Sequence, residues 1–260
     1  MKIGFIGTGD IAEAIIIGMM RADFAVDKIA VSARSRQTSS RLAQTYGTVQ
    51  VYEDNQDVVD AGCDLVFLAV LPQQAKAVLT SLQFRDGQEV ASLIGTVPVE
   101  KIAELTGATG RITRAIPLPP VADLRAITVL SGPSERLEGL FSQLGGVIVA
   151  QSLEEMNALT IPSALMGTFF GLQEIVVDWL GVKGVPEPDA RRFLSSLFLA
   201  LAQTGAASSQ TFPELREAHS TRGGLNAQIF DVFAESGGAE ALTQGMDSVM
   251  ARLLAASDKG

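Results

Sequence analysis

The sequence predicts an α/β protein with a doubly wound parallel sheet, followed by a domain made only of helices. Short apolar runs alternate with amphipathic stretches over the first 150 or so residues, which is typical of a parallel sheet with crossover helices. The first run, Lys2 to Ile6, leads directly into a glycine-rich turn and a helical pattern. From about Leu153 the strand-like runs cease and long helical stretches follow. We therefore expect two domains, over residues 1–152 and 153–260.

The elements of the first domain follow from the period of their apolar residues and from the turn residues between them. We predict strands at residues 2–6, 29–31, 49–52, 64–70, 89–93, 111–115, 126–130 and 147–149. We predict helices at residues 13–20, 38–46, 54–61, 74–82, 99–105 and 134–144. Pro72 marks the carboxyl end of the fourth strand, and ligands of open parallel sheets bind at such ends.

The second domain is predicted to contain helices at residues 154–160, 164–180, 188–209, 213–218 and 225–254, the last with a break at Gly237-Gly238. The stretches around Phe169 and Phe198 are apolar on nearly every face. One small bundle cannot bury so much surface, so we expect a homodimer formed through this domain. Phe193 to Pro213 is long and uncharged, but its many polar side chains argue against a membrane span and predict a helix buried in protein.

Charge and composition exclude several classes of partner. The formal net charge of -9 argues against nucleic acid, whose backbone is bound by clustered Lys and Arg. Cys63 is the single cysteine, so a disulfide within the chain and a cysteine metal cluster are both excluded. We interpret Cys63 as a small buried residue and expect a cytoplasmic protein with no bound metal and no membrane contact.

The turn after the first strand has the composition of a phosphate-binding turn. Its residues are Gly7, Thr8, Gly9, Asp10, Ile11 and Ala12. Gly7 permits a tight turn, Gly9 lacks a Cβ that would keep a pyrophosphate from the backbone, and Ala12 allows close packing. The N–H groups at the start of the helix form an anion site, and we expect Asp10 to cap that helix. A strand, a helix and a second strand in the right order favour dinucleotide binding over a purely structural turn.

The residues after the second strand indicate which dinucleotide is bound. An NAD-binding protein would place Asp or Glu there, whereas this chain has Ser32, Arg34, Ser35 and Arg36. Arginine binds phosphate through two parallel charged hydrogen bonds, so the segment favours the 2′-phosphate of NADP(H). The alternative is an ordinary solvated loop.

In the order of its elements and in four motifs, the chain resembles the pyrroline-5-carboxylate reductases over nearly its whole length. The motifs are residues 3–15, Asp54-Asn55, residues 66–73 and residues 213–224. The resemblance implies a nicotinamide domain, a helical domain that dimerises by interlocking helices, and the last step of proline synthesis. It implies that Asn55 lies near the adenosine and that Ala69, Val70 and Pro72 lie near the nicotinamide. Leu71 and Gly95 complete the expected cofactor site.

The sequence departs from the family where function is expected. Leu71 stands where the family usually has Lys, and Pro117-Leu118-Pro119-Pro120 replaces Pro-Asn-Thr-Pro. The family's Ser-Gly-Ser-Gly-Pro-Ala reads 163–168 here, beginning with Ser163, and its substrate-carboxylate loop is Thr221-Arg222-Gly223-Gly224-Leu225-Asn226. The fold is therefore expected to be retained while the pocket is altered.

The substrate loop still has the features of an anion site. Gly223 and Gly224 precede a helix whose N–H groups can bind a carboxylate, Arg222 adds a cation, and Asn226 offers an amide. We expect Ser163, Arg222, Gly223, Gly224, Leu225 and Asn226 to contact substrate, with Thr221 and Asn226 as the catalytic candidates. A glycine hinge beside a solvated arginine is the alternative.

His219, the only histidine, could protonate an imine nitrogen, but the alternative, an interaction with the end of the preceding helix, is favoured. The function that fits these features is NADPH-dependent reduction of a small imine by hydride transfer to the C=N carbon. An NADPH-binding sensor or degenerate paralogue is a second hypothesis. A β-hydroxyacid-type dehydrogenase is a third, although Leu71 replaces the lysine that such chemistry would use.

Overall fold

The chain forms two compact units. The computed structural model describes residues 1–257, with side chains as far as residue 255. One unit contains Met1–Thr160 together with the end of the last helix from Met250, and the other contains Ile161–Val249. The last three residues of the predicted second domain lie outside the described part of the chain.

The boundary between the units differs from the predicted one after residue 152. The helix Leu153–Thr160 belongs to the first unit. Met156 is buried in a cluster with Val129 and Ala150, and the buried Asn157 accepts a hydrogen bond from Arg114. These contacts attach the helix to the sheet, which a change from strand to helix pattern does not reveal.

The first unit is built on one sheet of eight strands. They are β1 Lys2–Ile6, β2 Lys28–Ser32, β3 Val49–Tyr52, β4 Leu65–Leu68, β5 Glu89–Ser92, β6 Ile112–Ile116, β7 Thr128–Leu130 and β8 Val147–Val149. Their order is β3-β2-β1-β4-β5-β6-β7-β8. All neighbouring pairs are parallel except β6 and β7, which are antiparallel. The predicted doubly wound α/β fold is confirmed.

The antiparallel pair of β6 and β7 departs from the predicted parallel sheet. Residues 117–127 join β6 to β7 and contain only the short 3-10 helix Pro119–Asp123. A parallel return would need a crossover of a dozen or more residues, usually a helix. The short connection therefore reverses the direction of the chain.

Helices cover both faces of the sheet. They are α1 Asp10–Arg21, α2 Arg36–Thr45, α3 Asn55–Asp60, α4 Pro72–Leu79, α5 Val99–Thr106, α6 Glu135–Gln143 and α7 Leu153–Thr160. Strand β4 alternates between the two faces: Phe67 packs in a cluster with α1 and α6, and Val66 in another with α3, α4 and α5. The Phe67 ring stacks on Phe5 of β1 at 4.7 Å between centroids. Burial on both sides explains why these strands read as continuous apolar runs.

Cys63 lies in the second of these clusters and is fully buried. Burial raises the pKa of its thiol to about 11, and its sulfur lies 3.5 Å from the carbonyl oxygen of Val58. The prediction of a small buried residue is confirmed.

The second unit is helical. Its helices are α8 Leu165–Val182, α9 Glu187–Ala207, α10 Phe212–Ala218, α11 Leu225–Glu235 and α12 Gly238–Ser257, the last running into the end of the first unit. The predicted break at Gly237-Gly238 separates α11 from α12. Helix α8 buries no residue, and α9 buries only Ala190 and Leu194.

The stretch Phe193–Pro213, which we expected to be buried in protein, is exposed over most of its length in the single chain, so its burial against a second copy stays a prediction. Phe193 is 66% exposed, and other large apolar side chains of this unit are exposed as well. The single unit has too few layers of helices to cover both faces of α8 and α9. Within residues 1–257, one helical stretch, Leu153–Val182, is long and apolar enough to cross a membrane by length and composition alone.

Candidate functional site

The candidate cofactor site lies at the carboxyl ends of the central parallel strands. Strand β1 pairs with β2 on one side and with β4 on the other, so the chain winds outward in two directions from β1. Ligands of doubly wound sheets bind at this switch point, outside the carboxyl ends of the strands. The glycine turn follows β1 at that place.

Gly7 fixes the shape of the turn. Its φ is +95°, and a Cβ there would lie 2.5 Å from the carbonyl oxygen of Ala69. The N–H of Gly7 donates to the hydroxyl of Ser32 over 2.9 Å, and the hydroxyl of Thr8 donates to the Ser32 carbonyl over 2.8 Å. Thr8 and Ser32 are each 1% exposed. The turn is therefore held to the end of β2 without any ligand.

Gly9 leaves space above the start of α1. It is the N-cap of that helix, with φ −85°, and a Cβ added to it would meet nothing within 4 Å. No side chain caps the first turn, so its N–H groups remain available to an anion. Ala12 is fully buried against the sheet, as the close-packing argument requires, and Ile11 is half-buried. The residues present fit a dinucleotide pyrophosphate.

Asp10 does not cap the helix as predicted. It is the first residue of α1, one position after the cap, and accepts no capping hydrogen bond. Since the helix already includes Asp10, its carboxylate interacts with the positive end of the helix only through the dipole.

The segment after β2 is arranged differently from the prediction in one respect. Ser32 is buried and bonded to the glycine turn, so its hydroxyl does not face a 2′-phosphate. Arg34 is exposed, and no ion pair of its side chain is found among the described residues. Ser35 is half-buried and is the N-cap of α2.

A carboxylate that the sequence reading missed lies beside this segment. Glu53, which follows β3, forms an ion pair of 3.2 Å with Arg36 at the start of α2. Both side chains are exposed. Asn55, expected near the adenosine, is the half-buried first residue of α3. The adjacency of β2 and β3 brings Glu53 to Arg36, and distance along the sequence does not indicate it.

The segment after β4 forms an apolar wall beside the glycine turn. Ala69 donates its N–H to Ile6 of β1 over 2.8 Å, and Val70 is 8% exposed. Leu71 is the N-cap of α4 and is 62% exposed, with Pro72 as the first helical residue. The position where the family usually has Lys therefore presents an apolar side chain to solvent.

Leu118 belongs to the segment that replaces the family's Pro-Asn-Thr-Pro. It is partly buried and packs against the large core cluster beside α1, so its side chain fills the domain rather than a pocket. The loss of the family's polar residue at this position does not by itself add apolar volume to the site.

Arg114 is a buried charge that the sequence reading did not single out. It lies in β6 and is 5% exposed. Its Nη2 donates to Asn157 Oδ1 over 2.9 Å and its Nη1 to the carbonyl of Gly95 over 3.4 Å, while Nε has no partner in the described part of the chain. Burial lowers the pKa of the guanidinium, and Glu100 opposes that shift. A charged residue within an apolar strand run was the available signal.

The expected substrate loop lies in the second unit, between α10 and α11. Helix α10 begins with a capping box in which Thr211 and Glu214 bond reciprocally, and hydrogen bonds from Thr211 lower the pKa of the Glu214 carboxyl. His219 ends the helix, with its Nδ1 2.8 Å from the carbonyl oxygen of Leu215. The interpretation of His219 as a partner of its own helix end is confirmed.

The loop itself is a closed turn. The N–H of Gly224 donates to the carbonyl of Thr221 over 2.7 Å, and Gly223 has φ +73°. Gly224 is the N-cap of α11 and provides no side-chain cap, so the predicted helix start is confirmed. Arg222 is exposed and Leu225 is 79% exposed. These features are compatible with an anion site.

Asn226 is engaged within the loop. Its Nδ2 donates to the carbonyl of His219 over 2.7 Å. One of the two N–H donors of the amide expected to contact substrate is therefore used to hold the loop against the end of α10.

Ser163 lies in the 3-10 helix Ile161–Ala164 at the start of the second unit. Next to it is an apolar cavity of about 440 Å³. It is lined by Ile161, Ala164, Leu165, Thr168, Leu172, Phe233, Gly238, Ala241, Leu242, Gly245, Met246 and Val249. Residues 221–226 do not line it, so this cavity and the loop are separate features of the unit.

Comparison with known proteins identifies relatives of both parts of the chain. Residues 2–97 match the family described as NADP oxidoreductase coenzyme F420-dependent. Pyrroline-5-carboxylate reductase of Haemophilus influenzae is 24% identical over 262 residues, which cover 96% of this chain and 95% of the relative.

Solved structures give the same result for the fold. The chain is similar to 1-pyrroline-5-carboxylate reductase of Streptococcus pyogenes, with a TM-score of 0.84 and 22% identity over 97% of this chain and 98% of the other. It is also similar to the Plasmodium falciparum pyrroline carboxylate reductase solved with NADP bound, with a TM-score of 0.82 and 16% identity over 98% and 97%. The predicted resemblance to pyrroline-5-carboxylate reductases is confirmed, and these structures share the fold of this chain.

Proposed function

We propose that this chain, a divergent member of the pyrroline-5-carboxylate reductase family, reduces a small carboxylate-bearing imine with NADPH. The observation that carries the proposal is the open space above Gly9 at the start of α1, at the switch point of the sheet. A Cβ would fill that space, and uncapped helix N–H groups are directed toward it. Both features suit a dinucleotide pyrophosphate.

The preference for NADPH rests on the cations after β2. Arg34 has no ion pair among the residues described, so its guanidinium is free to bind a 2′-phosphate. Arg36 is a second cation, but it must exchange its partner Glu53 for the phosphate. An exposed ion pair contributes at most about 1 kcal/mol to stability, so little free energy is lost when Arg36 exchanges Glu53 for the phosphate.

The reaction needs placement more than acid-base groups. When bound, the reduced nicotinamide supplies the hydride. The chain holds the cofactor through the glycine turn, and the apolar wall of Val70, Leu71 and Pro72 excludes water from one side of it. Residues Gly223 and Gly224 present the start of α11 to the substrate carboxylate, beside Arg222. Alignment of donor and acceptor then accounts for most of the rate.

The roles of Thr221 and Asn226 follow from the geometry of their loop. Asn226 holds the loop to the His219 carbonyl and thereby orients the helix start. The exposed Thr221 is the candidate that donates a hydrogen bond to the imine nitrogen. Ser163, at the start of the helical unit, stays a candidate substrate contact.

The substrate is expected to be less polar than pyrroline-5-carboxylate. Leu71 and Leu225 are exposed where the family has Lys and Thr, so they offer apolar contact in place of hydrogen bonds. A substrate group left without its partner costs about 1–3 kcal/mol, so pyrroline-5-carboxylate should be a poor substrate.

The active form is proposed to be a homodimer formed through the helical unit and located in the cytoplasm. In the single chain Phe170 is 68% exposed, Ile175 66% and Val182 82%. Apolar surface of this extent is rarely left in water. A second copy of the chain, packing its own α8 and α9 on the same face, would cover it.

A screen of cyclic and acyclic imino acids, followed by loss of nicotinamide absorbance, tests the proposal. Reduction of a bulky imino acid faster than of pyrroline-5-carboxylate is the expected result. Binding of NADPH without reduction of any imine would favour a sensor or degenerate paralogue instead. Turnover of β-hydroxyacids alone would favour the third hypothesis, which the uncharged Leu71 argues against.

A further inference from the structure

Arg114 is buried without a counter-ion. Its side chain is 5% exposed, and among the described residues no carboxylate lies within ion-pair distance of its guanidinium. Burying a cation is costly unless hydrogen bonds or an opposite charge compensate. Here the compensation consists of one amide oxygen and one backbone carbonyl, and Nε has no partner. The sheet therefore retains a charge that does not stabilise it through an ion pair.

The two acceptors join parts of the chain that are distant in sequence. Asn157 lies on α7, and Gly95 lies in the turn after β5. That turn continues the cofactor edge of the sheet, because Leu93 donates its N–H to Leu68 at the end of β4 over 2.9 Å. The guanidinium thus connects α7 to the turn that borders the segment Ala69–Pro72.

We propose that Arg114 is a positioning residue, which fixes the Gly95 turn against the nicotinamide half of the bound cofactor. The inference rests on the proposed function, since it requires NADP(H) at this edge. The planar guanidinium can donate to two acceptors in fixed directions, which an aliphatic side chain of the same length cannot do. Without it, the turn would lose a bond to its carbonyl oxygen and gain freedom on the side facing the nicotinamide.

The test compares a whole cofactor with a fragment. NADPH and adenosine 2′,5′-bisphosphate, which lacks the nicotinamide, are titrated by calorimetry into the wild-type protein and into Arg114→Met. We expect the dissociation constant of NADPH to rise about tenfold, because a turn that Arg114 no longer fixes must be ordered when the cofactor binds. The bisphosphate should bind both proteins within about twofold, because it does not reach the turn.

Three further variants separate positioning from general stability. Asn157→Leu removes the acceptor on α7 and should also weaken NADPH binding. Asn157→Asp keeps an acceptor for Arg114, so it should bind NADPH more tightly than Asn157→Leu does. Arg136→Met is the matched control: Arg136 pairs with the buried Glu89 over 2.9 Å at the amino end of β5, so its loss should lower the melting temperature only. If Arg114→Met does not fold, the two Asn157 variants decide.

The outcomes are distinct. Equal weakening of NADPH and of the bisphosphate, or the same weakening in Arg136→Met, would overturn the inference in favour of a general loosening of the domain. Unchanged NADPH affinity in Arg114→Met and Asn157→Leu would also overturn it while leaving the proposed function intact. Absence of NADPH binding by the wild-type protein would overturn both.

Discussion

Gly9 allows the stability of the protein to be separated from its capacity to hold a pyrophosphate. In Gly9→Ala, the added methyl group meets no protein atom within 4 Å, and a φ of −85° suits alanine. The only cost to the protein is a poorer N-cap, about 0.5–1 kcal/mol. The methyl group does, however, occupy the space that a bound pyrophosphate would need.

The expected loss of affinity follows from the bonds that would be broken. Displacing the pyrophosphate from the first turn of α1 removes one or two charge-assisted hydrogen bonds, each about 1.5–3 kcal/mol. A loss of about 3 kcal/mol raises the dissociation constant of NADPH roughly a hundredfold. Titration calorimetry measures that change, and thermal denaturation followed by circular dichroism measures stability.

Two other glycines serve as controls. Gly7→Ala should lower stability by about 2–4 kcal/mol, because it combines a φ of +95° with a contact of 2.5 Å to the Ala69 carbonyl oxygen. Gly139→Ala, within α6 and also with open space, should stabilise by up to about 1 kcal/mol and leave binding unchanged. Normal NADPH affinity in Gly9→Ala would refute the location of the pyrophosphate.

Three further predictions concern the cofactor, the thiol and the assembly. Calorimetry should show that NADPH binds more tightly than NADH. Arg34→Ala should reduce that difference, and Glu53→Gln should increase it by up to about fivefold, the contribution of an exposed ion pair. Equal affinities of the unmodified protein for both cofactors would contradict the assignment of the 2′-phosphate site. Cys63 should not react with a thiol reagent at pH 8 until denaturant is added. The free energy of unfolding should fall between pH 9 and about 11, because the folded state keeps the thiol proton that the unfolded state loses. Cys63→Ala should remove this part of the pH dependence. Light scattering at micromolar concentration should give a dimeric mass, with Phe170→Glu giving monomers; a monomeric wild-type protein would exclude the interface.

Much of the fold could be predicted because burial on both faces leaves a simple pattern in the sequence. Strands such as β4, Leu65–Leu68, are apolar throughout. The turn after β1 and the start of α11 could be predicted because glycines mark both places. Features that depend on residues close together in the chain can be predicted from a single sequence. The interaction of His219 with its own helix belongs to the same class.

The unpredicted features depend on contacts between segments far apart in sequence. The hydroxyl of Ser32 binds the glycine turn 25 residues away, and Arg114 reaches Asn157 across 43 residues. Glu53 meets Arg36 only because β2 and β3 are neighbours. The hydrophobicity pattern around Phe193 predicts burial but does not say whether one chain or two provides it, and in the single chain this side chain is exposed.

The two hydrogen bonds between the glycine turn and Ser32 determine what would have to be transferred to move this candidate cofactor site to another protein. The turn takes its shape from the end of β2 as well as from its own glycines, so a graft of residues 7–12 onto another sheet would lack half of its scaffold. A transferable segment would therefore have to include β1, α1 and β2 together, ending with the Ser32 hydroxyl. A designer could then alter Arg34 and its neighbours to change cofactor choice without disturbing the turn.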